Sequence, residues 1–97
     1  MNKYFEVAQI FATLTGFLIV ASSIFFSNTN SYLQQLNNPS SFILNASKDV
    51  ITNFFISTAN LVFTNISLAL FFFVLSIISG VITIIFTYKG YKNSNTI

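Results

Sequence analysis

Glu6 and Asp49 are the only side-chain carboxylates in this chain, and it contains no histidine and no cysteine. Acid–base and nucleophilic catalysis need donors, acceptors or nucleophiles held within mutual reach. Each carboxylate has a lysine for a neighbour instead: Lys3 three residues before Glu6, and Lys48 directly before Asp49. Without cysteine there is no disulfide, thiolate metal site or thiol nucleophile. Without histidine the commonest metal ligand and the side chain that titrates near neutrality are both missing. No glycine-rich phosphate loop is present. The expectation is a non-enzyme with no cofactor, no metal and no catalytic residue.

Three polar features remain. Glu6 stands at the rim of an apolar block, where a hydrated carboxylate can reach Lys3 at i,i+3 spacing. Buried, it would instead be a cation or proton site. Gln9, one turn further on, can hydrogen-bond to another helix. Asn45-Ala46-Ser47 fits the acceptor triplet for N-glycosylation, so Asn45 is a candidate modification site. Asn65-Ile66-Ser67 has the same form but falls inside an apolar segment, where it should be silent.

The charges partition the chain. Between Glu6 and Lys48, and again between Asp49 and Lys89, there is none. Only 6% of the 97 residues are charged and 54% are hydrophobic, where a soluble domain carries about a quarter charged. So few charges cannot hydrate the exterior of a small domain. A lipid-facing exterior is the simplest account. The net charge of +2, from four lysines and no arginine, is no footprint for nucleic acid, which needs clustered cations against phosphates.

Two apolar blocks lie between these charges. Residues 7–26, VAQIFATLTGFLIVASSIFF, are about 30 Å long as a helix, the thickness of bilayer hydrocarbon. A rival reading makes residues 1–22 a cleaved signal peptide with VASS near the cut, but Glu6 spoils its basic start and the apolar run continues to Phe26. Residues 61–88 form the second block, whose centre, ALFFFVLSIISGVITIIF, holds only Ser, Gly and Thr as non-apolar members. Barrel strands would alternate polar and apolar positions over many segments, which two continuous blocks do not.

The expected fold is all-α. It is an integral membrane, two-span antiparallel helical hairpin with a polar, partly amphipathic connecting segment. Residues 1–6 are a short tail, 7–26 the first span, 27–60 an extracytoplasmic loop, 61–88 the second span and 89–97 a basic tail. Within the loop, Pro39 makes the turn in NNPSS, and NSYLQQL has room for a turn or two of helix. Ser47 can cap an amphipathic helix over about 47–60, with Asp49 in its favourable first turn. Val50, Ile51, Phe54, Phe55 and Thr58 share one face of it. Whether it continues into the second span is left open by the sequence.

Lys3, Lys89 and Lys92 flank the termini and Lys48 alone lies in the loop, so both termini are expected in the cytoplasm. Tyr4, Tyr88 and Tyr91 suit one headgroup layer and Tyr32 the other, because a tyrosine ring is apolar and its hydroxyl needs water.

In lipid, helices associate through close packing of small residues and a few hydrogen bonds. The first span carries Ala8, Ala12 and Gly16, four apart. The second carries Ala69, Ser76 and Thr83, seven apart, with Gly80 beside them. With Tyr4 level with Tyr88, Gly16 is expected opposite the Ser76–Gly80 stretch. Phe71, Phe72 and Phe73 cover most of one turn, so some of these rings must face outward.

The expected function is a small structural or accessory membrane protein. Its partners are the lipid bilayer and other membrane helices, in a homo-oligomer or a larger complex. One alternative is a holin-like, virus-encoded permeabilising or remodelling protein. A third is an oligomeric pore lined by Thr13, Thr15, Ser76, Ser79 and Thr83.

Overall fold

A computed structural model describes residues 2–95, and those residues are helical apart from short connections. Three helices follow in order: α1 (Lys3–Asn37), α2 (Ser41–Leu44) and α3 (Lys48–Asn95). Two of them, α1 and α3, are long and apolar enough to cross a membrane. Met1, Thr96 and Ile97, the extremes of the expected tails, lie outside the described residues.

Each helix start has a local cause. The Asn2 side-chain oxygen accepts from the Tyr4 amide N–H at 2.9 Å, which satisfies one of the donors a helix N-terminus leaves over. Ser40, directly after Pro39, is the N-cap of α2, its hydroxyl accepting from the Ile43 N–H. Ser47 does the same for α3, accepting from the Val50 N–H at 3.5 Å, and Asp49 sits in that first turn, where the helix dipole favours a negative charge.

Of the expected connecting segment 27–60, the helix anticipated from about residue 47 is present, beginning at Lys48, and the polar stretch before Pro39 is helical as well. Residues 27–37 continue α1 without a break, and 48–60 are the opening turns of the same helix that holds the second apolar block. Only 38–47 connect, with α2 among them. The extension has a physical reason. Thr29, Tyr32 and Leu36 carry α1's inward spacing past Phe26, while Asn30, Ser31, Gln34 and Gln35 take the outward positions. Polar composition there marks a hydrated helix face rather than a loop.

The chain divides into two compact units. One contains α1 up to Ala21 together with α3 from Phe71 onward, and the other runs from Ser22 to Leu70. Within the first, the two helix segments lie antiparallel. Tyr4 and Phe11 both stack near Phe86, at ring-centre distances of 6.1 and 6.4 Å. Thr15 meets Ser79, and the Asn2 amide donates to the Gly90 carbonyl at 3.0 Å. Within the second unit the order is again antiparallel, with Ser22 on Ala69 and Asn28 near Asn65 at 3.5 Å.

Candidate functional site

Among the described residues there is no cluster of three or more His, Cys, Asp or Glu. Glu6 is exposed in the first turn of α1, and Asp49 is exposed in the first turn of α3. The organised feature is the seam where α1 and α3 meet inside each unit.

The inward residues of α1 are Tyr4, Ala8, Phe11, Thr15 and Leu18 in the first unit, then Ser22, Phe25, Thr29, Tyr32 and Leu36 in the second. The steps alternate four and three, an average of about 3.5 that keeps one face of a helix on its neighbour. Large and small side chains alternate with them through Thr29. On α3 the same steps pick out Ile51, Phe55, Thr58, Val62, Asn65 and Ala69 in the second unit. Phe72, Ser76, Ser79, Thr83, Phe86 and Gly90 follow in the first. A bulky residue on one helix needs a small one near it on the other, which brings the backbones close without overlap.

Seven polar side chains of this seam, Thr15, Ser22, Thr29, Asn65, Ser76, Ser79 and Thr83, are hydrogen-bonded. Two hydroxyl protons, from Thr15 and Ser79, serve three close oxygen pairs. Thr15 to Ser79 is 2.8 Å, Thr15 to the Phe11 carbonyl 2.7 Å, and Ser79 to that carbonyl 3.0 Å. In the second unit the Ser22 hydroxyl donates across the seam to the Ala69 carbonyl at 2.9 Å. Asn65, buried, donates to the Leu61 carbonyl at 2.8 Å. Ser76, Thr83 and Thr29 donate to carbonyls three or four residues back on their own helices. Among the described residues no buried side-chain nitrogen or oxygen lacks a partner. That is what an apolar environment demands, because an unmade hydrogen bond there costs the full desolvation of the group.

Ala8, Ala69 and Ser76 are buried in the seam, with Gly80 and Thr83 half-buried beside them. Ala12 and Gly16 are not in it. Both are exposed on the outer side of α1, and a Cβ at Gly16 would meet nothing within 4 Å. The expected meeting of Gly16 with the Ser76–Gly80 stretch is therefore corrected: Thr15 occupies that place, its methyl 3.9 Å from where a Gly80 Cβ would stand. Steps of four advance about 40° each around a helix, so Ala8, Ala12 and Gly16 drift off the seam.

Several seam residues were not singled out as packing positions from the sequence: Ser22, Thr29, Asn65 and Gly90. The large–small alternation at 3.5-residue spacing is the signal that finds most of them. Gly90 answers to a close approach, since a Cβ there would fall 2.8 Å from the Phe5 ring.

Lys3, Tyr4, Tyr88, Lys89, Tyr91 and Lys92 all belong to the first unit, near the start of α1 and the end of α3. Tyr88 and Tyr91 are exposed, and the Lys89 ammonium lies 5.9 Å from the centre of the Phe86 ring, within cation–π range. Tyr32 is half-buried in the second unit. Asn45 is exposed at the C-cap of α2. Of the phenylalanine triplet, Phe71 and Phe73 face outward and Phe72 is half-buried.

No family model, characterised protein or solved structure matches this chain.

Proposed function

We propose that this chain is a small integral membrane protein of structural or accessory type. It crosses the bilayer twice in opposite directions and packs through helix faces with copies of itself or with a larger membrane complex. The observation that carries the reading is an inverted polarity. Beside the small apolar Ala8 and Ala69, the buried side chains are the polar Ser22, Thr29, Thr58, Asn65, Ser76 and Ser79, while large apolar side chains cover the outside, Phe17 at 70% and Ile84 at 69% exposure among them. In the most apolar window of α1 only 6% of residues are buried, and in that of α3 only 17%. A core helix of a soluble domain would have most of that window covered. Water offers such a surface no stable state, and hydrocarbon does.

Both termini lie on the cytoplasmic side in this reading, because Lys3, Lys89 and Lys92 outnumber Lys48. The hydrogen-bonded seam hydroxyls favour packing over a water-filled path within one chain, since pore-lining groups face water. Alkaline carbonate extraction of membranes holding the full chain tests the reading. Retention in the pellet is expected, and release to the supernatant would contradict it. Expression of the chain alone separates the holin-like alternative: growth and dye retention should be unaffected, whereas leakage would favour permeabilisation.

A further inference from the structure

We infer that the outer face of α1 around Gln9 is a self-association surface, and that its partner is a second copy of this chain. The inference rests on the membrane reading above.

Gln9 is exposed within the apolar block 7–26, and among the described residues its side-chain amide has no hydrogen-bond partner. Its backbone carbonyl is engaged, accepting from the Thr13 hydroxyl at 3.0 Å, so the adjacent hydroxyl is committed as a donor. In hydrocarbon an amide with two donors and an acceptor finds nothing to bond. Satisfaction has to come from another polar group at the same depth.

The surroundings suit a helix. Gln9 stands on a ridge between two grooves. One is lined by Phe5, Ala8, Ala12, Thr83 and Thr87, the other by Glu6, Ile10 and Thr13. One and two turns further on, Ala12 and Gly16 leave the backbone uncovered, and Gly16 has open space where a Cβ would be. Seam packing consumes the small residues Ala8, Thr15 and Ser22, and leaves this second set unused.

Amide chemistry selects the occupant. A glutamine side chain is both donor and acceptor, so it is complementary to itself. Two copies inserted with the same topology carry Gln9 at equal depth. A twofold axis along the membrane normal, passing beside Gln9, lets each amide donate to the other. Ala12 and Gly16 of the two copies then set the close approach that such a pair requires.

Because the chain has no cysteine, single-cysteine variants report the contact cleanly. In membranes, oxidation of Gln9→Cys should give a disulfide-linked dimer, whereas Ile84→Cys, on the exposed face of α3, should not. In lipid vesicles, energy transfer between differently labelled full chains should give a dimer whose dissociation constant rises about tenfold in Gln9→Leu, the value of the two interhelical hydrogen bonds of the symmetric pair. In Gly16→Leu the dimer should be lost. Every variant is also checked for helicity by circular dichroism and for retention after carbonate extraction. A helical, retained chain that stays monomeric overturns the inference alone. So does a dimer indifferent to Gln9→Leu, or equal cross-linking at positions 9 and 84. A chain released by carbonate overturns the membrane reading and this inference with it.

Discussion

The two faces of α1 in the first unit contain similar small residues and differ in what surrounds them. The inner face, Ala8 and Thr15 among Tyr4, Phe11 and Leu18, is covered by α3, and its hydroxyl is tied to Ser79. The outer face, with Gln9, Ala12 and Gly16, is exposed, and among the described residues its amide has no hydrogen-bond partner. Spacing separates them. Steps of four and three keep a residue on the partner, and steps of four alone carry it away. A small residue is thus informative only together with the period it belongs to.

Substitutions can break this contrast, and the inner face should be the more sensitive. The largest effect is expected for Ser22→Phe, which continues the same inner stripe in the second unit. It overfills a position that is 3% exposed and deletes the bond to the Ala69 carbonyl. Opening of the hairpin, followed by SDS titration in mixed micelles, should become easier by about 3 kcal/mol. Gly90→Ala should follow at about 1–2 kcal/mol, because the new methyl displaces the Phe5 ring. An unchanged midpoint would mean that the approach of Phe5 to Gly90 is not tight.

Smaller changes sharpen the comparison. Ser79→Ala removes a donor to Phe11 and an acceptor for Thr15, and should cost about 0.6–1 kcal/mol. A double-mutant cycle with Thr15→Val should show that the two losses are not additive. Gly16→Ala should do least. With nothing within 4 Å and a better helix former in place, hairpin opening should become harder by about 0.5 kcal/mol or not change. At dilutions in micelles where the chain is monomeric, a loss of about 1 kcal/mol or more there would put Gly16 in the seam after all.

Much of the architecture is legible in the residues themselves. The uncharged blocks define the two long helices, and Ser47 with Asp49 marks the start of α3. The polar stretch 27–37 is harder to read, because Ser, Asn and Gln suit loops and hydrated helix faces equally well. Only the sparse inward residues Thr29, Tyr32 and Leu36 betray the helix. Half of the seam is legible on α3, where Ala69, Ser76 and Thr83 repeat at seven. On α1 the regular spacing of Ala8, Ala12 and Gly16 competes with the true period. The partners of Ser22 and Asn65 depend on how the helices align along each other, which no local pattern fixes.

The proposed membrane-spanning hairpin is tested most directly by membrane-impermeant maleimide labelling of single-cysteine variants of the full chain in sealed, oriented vesicles. Lys3→Cys and Asn93→Cys should label from the same side, Asn45→Cys only from the other, and Ile78→Cys, exposed on α3, from neither. Labelling of positions 3 and 93 from opposite sides, or ready labelling of position 78, would contradict the account.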